Sequence, residues 1–291
     1  MNIRTVRKKI KSIKNVKKIT KAMQMVSAVK MRKAQQLEIE GRPYRDGLTE
    51  IIATLSNKID SSHAKILQVD TSKAERDLII VVSSNKGLAG SFNINLFRYI
   101  LHEYPSFNNV DIITVGSKGS QFFGRLKDTH IIADFSTSNL ILEASALFDF
   151  IQEKYFTGIY RSVIIIYNQF ISTLRSDPTK KILLPLTFVN TTKEDQSKTD
   201  SIKGSDLIIE PSPQEILEEV LKSFIEYTIR GALISSEAVE HSMRMMAMKS
   251  ATDNAVELIY QMTLLANRLR QEKITNELLD MVTAKESVEA S

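Results

Sequence analysis

The residues with most to offer chemically are two glycine-bearing turns. Residues 84–93 read SNKGLAGSFN and residues 115–119 read VGSKG. Each follows an apolar run and opens a helical pattern, the place where free backbone N–H groups can hold a phosphate. Neither matches GxGxxG or GxxxxGK(S/T), and no acid closes the second strand to take a ribose hydroxyl. A tight turn that packs backbone against backbone is the better reading of both. The four histidines, His63, His102, His130 and His241, never fall two to an element at metal-ligand spacing. No carboxylate pair and no Ser/His/Asp set stands out. Catalytic, cofactor-binding and metal-binding residues are therefore expected to be none.

Bulk composition agrees with a globular chain that is not redox-controlled. The 291 residues are 43% hydrophobic and 25% charged, enough for one or two cored domains. There is no cysteine, which excludes disulfides, thiolate chemistry and thiol regulation. No apolar run reaches the ~18 residues that a membrane helix needs. The net charge of +5 is modest but unevenly placed: residues 1–37 hold twelve Lys/Arg and no acid. An acid-free, basic amino terminus also suits a mitochondrial transit peptide.

Two long helical patterns must position whatever this chain does. At the amino end, Ile3, Val6, Ile10, Ile13, Val16, Ile19, Met23, Val26 and Val29 recur three or four apart, predicting an amphipathic helix from about residue 2 to 59. Its successive three-residue steps predict a stripe that drifts rather than a strict heptad. At the carboxyl end, Met248, Ala251, Ala255, Leu258, Met262, Leu265 and Leu269 alternate by three and four, a heptad seam that asks for a partner helix. The pattern turns polar over residues 270–277 (RQEKITNE), so the pairing should end there. A helix over 213–286 would be roughly 110 Å long. On this reading, Leu258→Asp should unzip the pair.

Between the helices lies a different grammar. Short apolar strands at 77–83, 111–116, 130–135 and 162–170 alternate with helices at 91–103, 118–126 and 138–155. A fifth strand at 181–189 should return across a turn at Asp177–Pro178. The fold class expected is α/β: a long antiparallel two-helix coiled coil formed by the termini, with an inserted Rossmann-like α/β domain. The domains are then 1–60, 61–211 and 212–291. The basic amino helix could meet nucleic acid, face solvent or face an acidic protein surface; it lacks the interleaved aromatics of a nucleic-acid binder.

Several stretches carry a more specific likeness. Residues 19–35 (ITKAMQMVSAVKMRKAQ) with Arg42–Tyr44 (RPY), then 243–255 (MRMMAMKSATDNA) and 267–278 (NRLRQEKITNEL), resemble the terminal signatures of the gamma subunit family of bacterial-type F-type ATP synthases. The two glycine turns and YNQFISTL resemble its middle, so nearly the whole chain is covered. Ala266 departs from the aromatic residue usual before the Asn, and the end MVTAKESVEAS is more charged than is typical.

The resemblance implies a non-catalytic central rotor shaft. It would couple ion-driven rotation of the membrane c ring to conformational change at catalytic beta subunits. Implied partners are the alpha and beta subunits, the epsilon subunit and the c ring, with one copy per complex, no nucleic acid and no cofactor. The implied location is peripheral, on the cytoplasmic face of the inner membrane. By the same resemblance Lys18, Lys21, Met23, Arg270, Gln271, Thr275 and Glu277 would contact beta subunits. Arg42, Pro43, Tyr44, Leu207 and Glu210 would lie at the foot, near the c ring and epsilon.

Overall fold

Runs of branched aliphatic residues bounded by polar ones become strands buried on both faces, and here they form one sheet. The computed structural model describes residues 2–56, 74–136, 140–186 and 212–289. The strands are β1 (Arg76–Val82), β2 (Val110–Val115), β3 (His130–Phe135), β4 (Tyr160–Phe170) and β5 (Ser176–Leu184). Their order is β3-β2-β1-β4-β5, parallel except for the antiparallel β4–β5 pair. The helices are α1 (Ile3–Ser56), α2 (Phe92–Glu103), α3 (Ser117–Phe123), α4 (Leu140–Phe156) and α5 (Pro213–Glu289).

Alternation along β1 sorts the core into two layers. Ile79 and Val81 pack with Leu96, Phe97 and Ile100 of α2 and Phe123 of α3. Leu78, Ile80 and Val82 pack with Leu147 and Ile151 of α4 and with Leu221, Ile225 and Ile229 of α5. The carboxyl-terminal helix is thus part of the sheet's own core.

By internal contacts the chain divides into residues 1–28 with 244–291, and residues 29–243. In the second unit α1 and α5 run antiparallel: the Tyr44 and Tyr227 rings meet at a 34° tilt with centroids 4.2 Å apart, while the charges of Lys30 and Lys33 reach Glu237. In the first unit the Thr20 and Thr252 hydroxyls meet at 2.8 Å in the buried seam.

Three expectations need correction. The amino helix does not bury a drifting apolar stripe. Its shielded positions in the first unit include Ile3, Val6, Ile10, Ile13, Lys17, Thr20, Gln24 and Ser27, which alternate by three and four, with Met23 and Ala28 half-buried beside them, while Val16 (48%), Ile19 (59%) and Val26 (57%) are exposed. Small and polar residues occupy the seam because side chains such as Ser27 and Thr20 let the helix axes approach. On α5, Leu258 is 43% exposed and Ile259 takes the seam position between Ala255 and Met262. Either residue satisfies heptad spacing, so the period alone does not choose. The β4–β5 turn is made by residues 171–175, where the Ser172 N–H donates to Arg175 O at 3.0 Å. Asp177 and Pro178 instead lie within β5, opposite Gln169 and Asn168. An edge strand tolerates a proline whose missing N–H would face the open side. Residues 187–189 of the expected fifth strand lie outside the described residues.

The corrected seam makes a direct comparison possible. Val6 is fully buried. Val6→Asp is expected to cost about 3 kcal/mol or more, through an unpaired buried charge, whereas Leu258→Asp should cost under about 1 kcal/mol. Thermal unfolding followed by circular dichroism ranks the two.

Candidate functional site

The two glycine turns lie side by side at the carboxyl ends of β1 and β2, and they occupy each other. Gly116 has φ +101°, and its N–H donates to Phe135 O. The next three N–H groups open α3. Ser117 N–H donates to Asn85 Oδ1 (3.0 Å), Lys118 N–H to Ser84 O (3.1 Å) and Gly119 N–H to Ser83 Oγ (2.8 Å). The Ser117 hydroxyl donates to Asn85 O at 2.8 Å. In the first turn, Ser84 N–H donates to Asn93 Oδ1 (3.1 Å), and Asn93 Nδ2 donates back to Ser84 Oγ (2.7 Å). The N–H donors that open α3 are thus committed to oxygens of this chain.

The crevice where strand order reverses, between β1 and β4, is the usual ligand position of such sheets. Here it is filled. Asn168 Nδ2 donates to Phe92 O at 3.2 Å, and Phe92 packs with Ala89 and Val239, flanked by Phe170 and Met243. Two hydroxyls hold this end of the sheet against α5. Ser235 Oγ accepts from Phe170 N–H (2.8 Å), and Ser242 Oγ donates to Thr173 O (2.6 Å).

At the opposite end of the sheet the polar groups are structural. The Asp111 carboxylate, 4% exposed, accepts from Arg76 (2.8 Å), His130 Nδ1 (3.0 Å) and the Tyr160 hydroxyl (2.8 Å). Burial, with the hydrogen bond to Asp111, pushes the Tyr160 phenol up to about 12. Asp77 is held by a two-pronged Arg161 and by Ser162. Sequence reading missed this pair of carboxylates; an acid opening each of two buried strands was the available signal. No group of three His, Asp or Glu that could hold a metal occurs among the described residues.

The remaining candidates are surfaces. Lys18 and Lys21 are exposed on α1, and Met23, two residues beyond Lys21, is half-buried. They share that helix with exposed Val16, Ile19, Met25 and Val26. On α5, every residue from 270 to 285 is exposed, including Arg270, Gln271, Thr275 and Glu277. Thr275 Oγ1 donates to Gln271 O at 3.0 Å, and Glu277 pairs with Lys273 at 3.3 Å. Arg42, Pro43 and Tyr44 are exposed on α1, and Leu207 and Glu210 lie outside the described residues.

A family profile described as ATP synthase matches residues 2–288. The ATP synthase gamma chain of Akkermansia muciniphila is 35% identical over 294 residues, covering 99% of each chain. That of Geotalea daltonii is 38% identical over 296 residues, again covering 99% of each. Among solved structures, a chain of the Euglena gracilis mitochondrial ATP synthase rotor has a TM-score of 0.64 at 19% identity, covering 94% of this chain and 98% of that one. A chain of the Tetrahymena thermophila central stalk and c-ring structure has a TM-score of 0.57 at 24% identity, covering 80% and 99%. At those identities the likeness is one of fold.

Two outcomes test the geometry. A Cβ at residue 116 would meet Ser83 O at 2.2 Å. Gly116→Ala should therefore cost about 3 kcal/mol or more, read by chemical denaturation. Glu237 is held below the usual carboxylate range, first by hydrogen bonding to His241 against the opposing effect of burial, then by His241, Lys30 and Lys33 charge. A depressed carboxylate stabilises the fold above its unfolded value, near 4.3, and loses that contribution as pH falls through the folded one. The stability gap between wild type and Glu237→Gln should therefore narrow on acidification below about pH 4.3, as followed by denaturant midpoints.

Proposed function

The chain belongs to the ATP synthase gamma family, and from that premise we propose that it is the central rotor shaft of an F-type ATP synthase. Residues 1–60 and 212–291 serve as the two shaft helices and 61–211 as the inserted domain. The chain has no catalytic role of its own. One asymmetric shaft inside a ring of catalytic subunits acts by touching each of them differently, and differential contact is what shifts a neighbour's conformational population. Rotation of a membrane c ring, driven by ions, would reach the beta subunits through α1 and α5.

The observation that carries the reading is uncovered apolar surface on long helices. Val16, Ile19, Met25 and Val26 stand open on α1 beside Lys18 and Lys21, and Ile274, Leu278, Leu279, Met281 and Val282 stand open on α5. Contiguous exposed apolar residues of this kind support protein partners, and the lysines favour an acidic one. Lys18, Lys21 and Met23 would meet a beta subunit at one level, and Arg270, Gln271, Thr275 and Glu277 at another. Arg42, Pro43 and Tyr44, with Leu207 and Glu210, would contact the epsilon subunit and the c ring. No helix among the described residues is long and apolar enough to cross a membrane; the chain would be held peripherally, on the cytoplasmic face of the inner membrane, by that ring.

Purification of the complex tests the shaft reading: one copy of this chain is expected per three alpha and three beta subunits, and any other stoichiometry removes it. The side chains of Arg270 and Gln271 are exposed, so Arg270→Ala with Gln271→Ala should leave helix content unchanged while altering ATP turnover about tenfold. Unchanged turnover in the assembled complex would take these residues out of the contact.

A further inference from the structure

Ser235 and Ser242 stand seven residues apart, on one line along α5, and both are buried. They reach the end of β4 with opposite polarity. Ser235 Oγ accepts from Phe170 N–H at 2.8 Å, and Ser242 Oγ donates to Thr173 O at 2.6 Å. The apolar hold of α5 on the sheet runs along a different row: Leu217, Leu221, Ile225, Ile229 and Leu233, in steps of four. Neither serine falls on that row, so the hydroxyls grip a second flank of the helix. Thr228 lies on the serine line, seven residues earlier; it is buried, and its hydroxyl has no hydrogen-bond partner. The polar grip therefore belongs to Ser235 and Ser242, just before residue 243, where the second unit ends.

The two grips resist different motions. Apolar contact is non-directional, so it opposes separation but tolerates a helix turning in place. A hydrogen bond is directional and short, and it is lost when its atoms shift sideways. The Cα atoms of a helix lie about 2.3 Å from its axis, so a turn of about 30° moves each by about 1.2 Å, and a hydroxyl farther. Such a turn parts both serine bonds at once. The groups they hold cannot follow the helix. Ser172 N–H donates to Arg175 O at 3.0 Å and closes the turn that carries Thr173. Asn168, two residues before Phe170, donates to Phe92 O at 3.2 Å and ties the same strand to α2.

We propose that Ser235 and Ser242 are positioning residues of the rotor, locking the rotational phase of α5 to the sheet domain so that the two turn as one body. The apolar row alone would keep α5 on the sheet in a chain that carried no torque. Torque along α5 is what a directional grip on a second flank opposes. The phase lock rests on the reading that this chain turns inside the complex.

Angular fluctuation of the paused complex tests it. The chain has no cysteine, so Asn108→Cys, at an exposed position of the sheet domain, gives a single attachment point for a bead. The complex is immobilised through its alpha and beta subunits and paused without ATP. Ser235→Ala with Ser242→Ala should widen the angular spread of the bead. Ile225→Val, which trims the apolar row and touches no hydroxyl, should lower stability and leave the spread at its wild-type value. Amide exchange at Phe170 should quicken about tenfold in Ser235→Ala, which reports the broken bond. Quickened exchange with an unchanged spread would overturn the phase lock and leave the rotor reading intact. Equal widening by Ile225→Val would make the serines general stabilisers and overturn it as well. Where the double variant does not assemble, each single variant is read by the same bead. A chain that purifies in no complex fails the rotor reading itself.

Discussion

Close approach of two helices is the constraint on which the rest depends. In the first unit the α1 seam narrows from Ile10 and Ile13 to Lys17, Thr20, Gln24 and Ser27, and α5 answers with Met248, Ala251, Thr252 and Ala255. Small side chains permit short interaxial distances, and the polar ones among them must then find partners inside the seam. Thr20 and Thr252 do so with each other, and Thr252 Oγ1 also reaches Met248 O at 2.7 Å. The seam is specified by size and hydrogen bonding as much as by apolarity.

The same demand for closeness runs through the sheet domain. Gly116 lies where a Cβ would strike the Ser83 backbone, and that approach brings Asn85 and Ser84 onto the opening N–H groups of α3. Backbone donors satisfied internally have little left for a ligand, and the packing of Phe92, Val239 and Phe170 occupies the crevice where a nucleotide would sit. A fold often used for binding is filled here at its usual ligand crevice. Its second layer borrows Leu221, Ile225, Ile229 and Leu233 from α5, so the domain cannot let go of that helix without opening its own core.

Much of this was legible in the sequence, and the failures share a cause. Branched aliphatic runs such as DLIIVV could only be buried strands, and the loss of pattern after Leu269 marked where α5 becomes exposed on all sides. The seam of α1 was misread because hydrophobicity was taken as the sign of burial: Val16, Ile19 and Val26 are open, while Thr20 and Ser27 are inside. Leu258 and Ile259 were indistinguishable because both satisfy a spacing of three and four from Ala255 and Met262. The proline of β5 looked like a turn because sequence does not say which strand will be an edge. The surface residues at 18–23 and 270–277 were picked out only by family resemblance, since an exposed charge leaves no periodic trace.

The inversion on α1 is informative beyond that error. Folding alone would place the branched aliphatic residues inside and the threonine and serine outside, since each buried aliphatic side chain contributes about 1.5–3 kcal/mol. Instead, beyond Ile13 the helix buries Thr20 and Ser27 and leaves Val16, Ile19 and Val26 uncovered. Apolar surface with no cover inside its own chain gains stabilisation only when another chain arrives. An arrangement of that kind forgoes stability in the isolated protein and places the unused hydrophobic term at the surface, available to whatever packs against it. A helix pair that had only to hold itself together would have the opposite distribution.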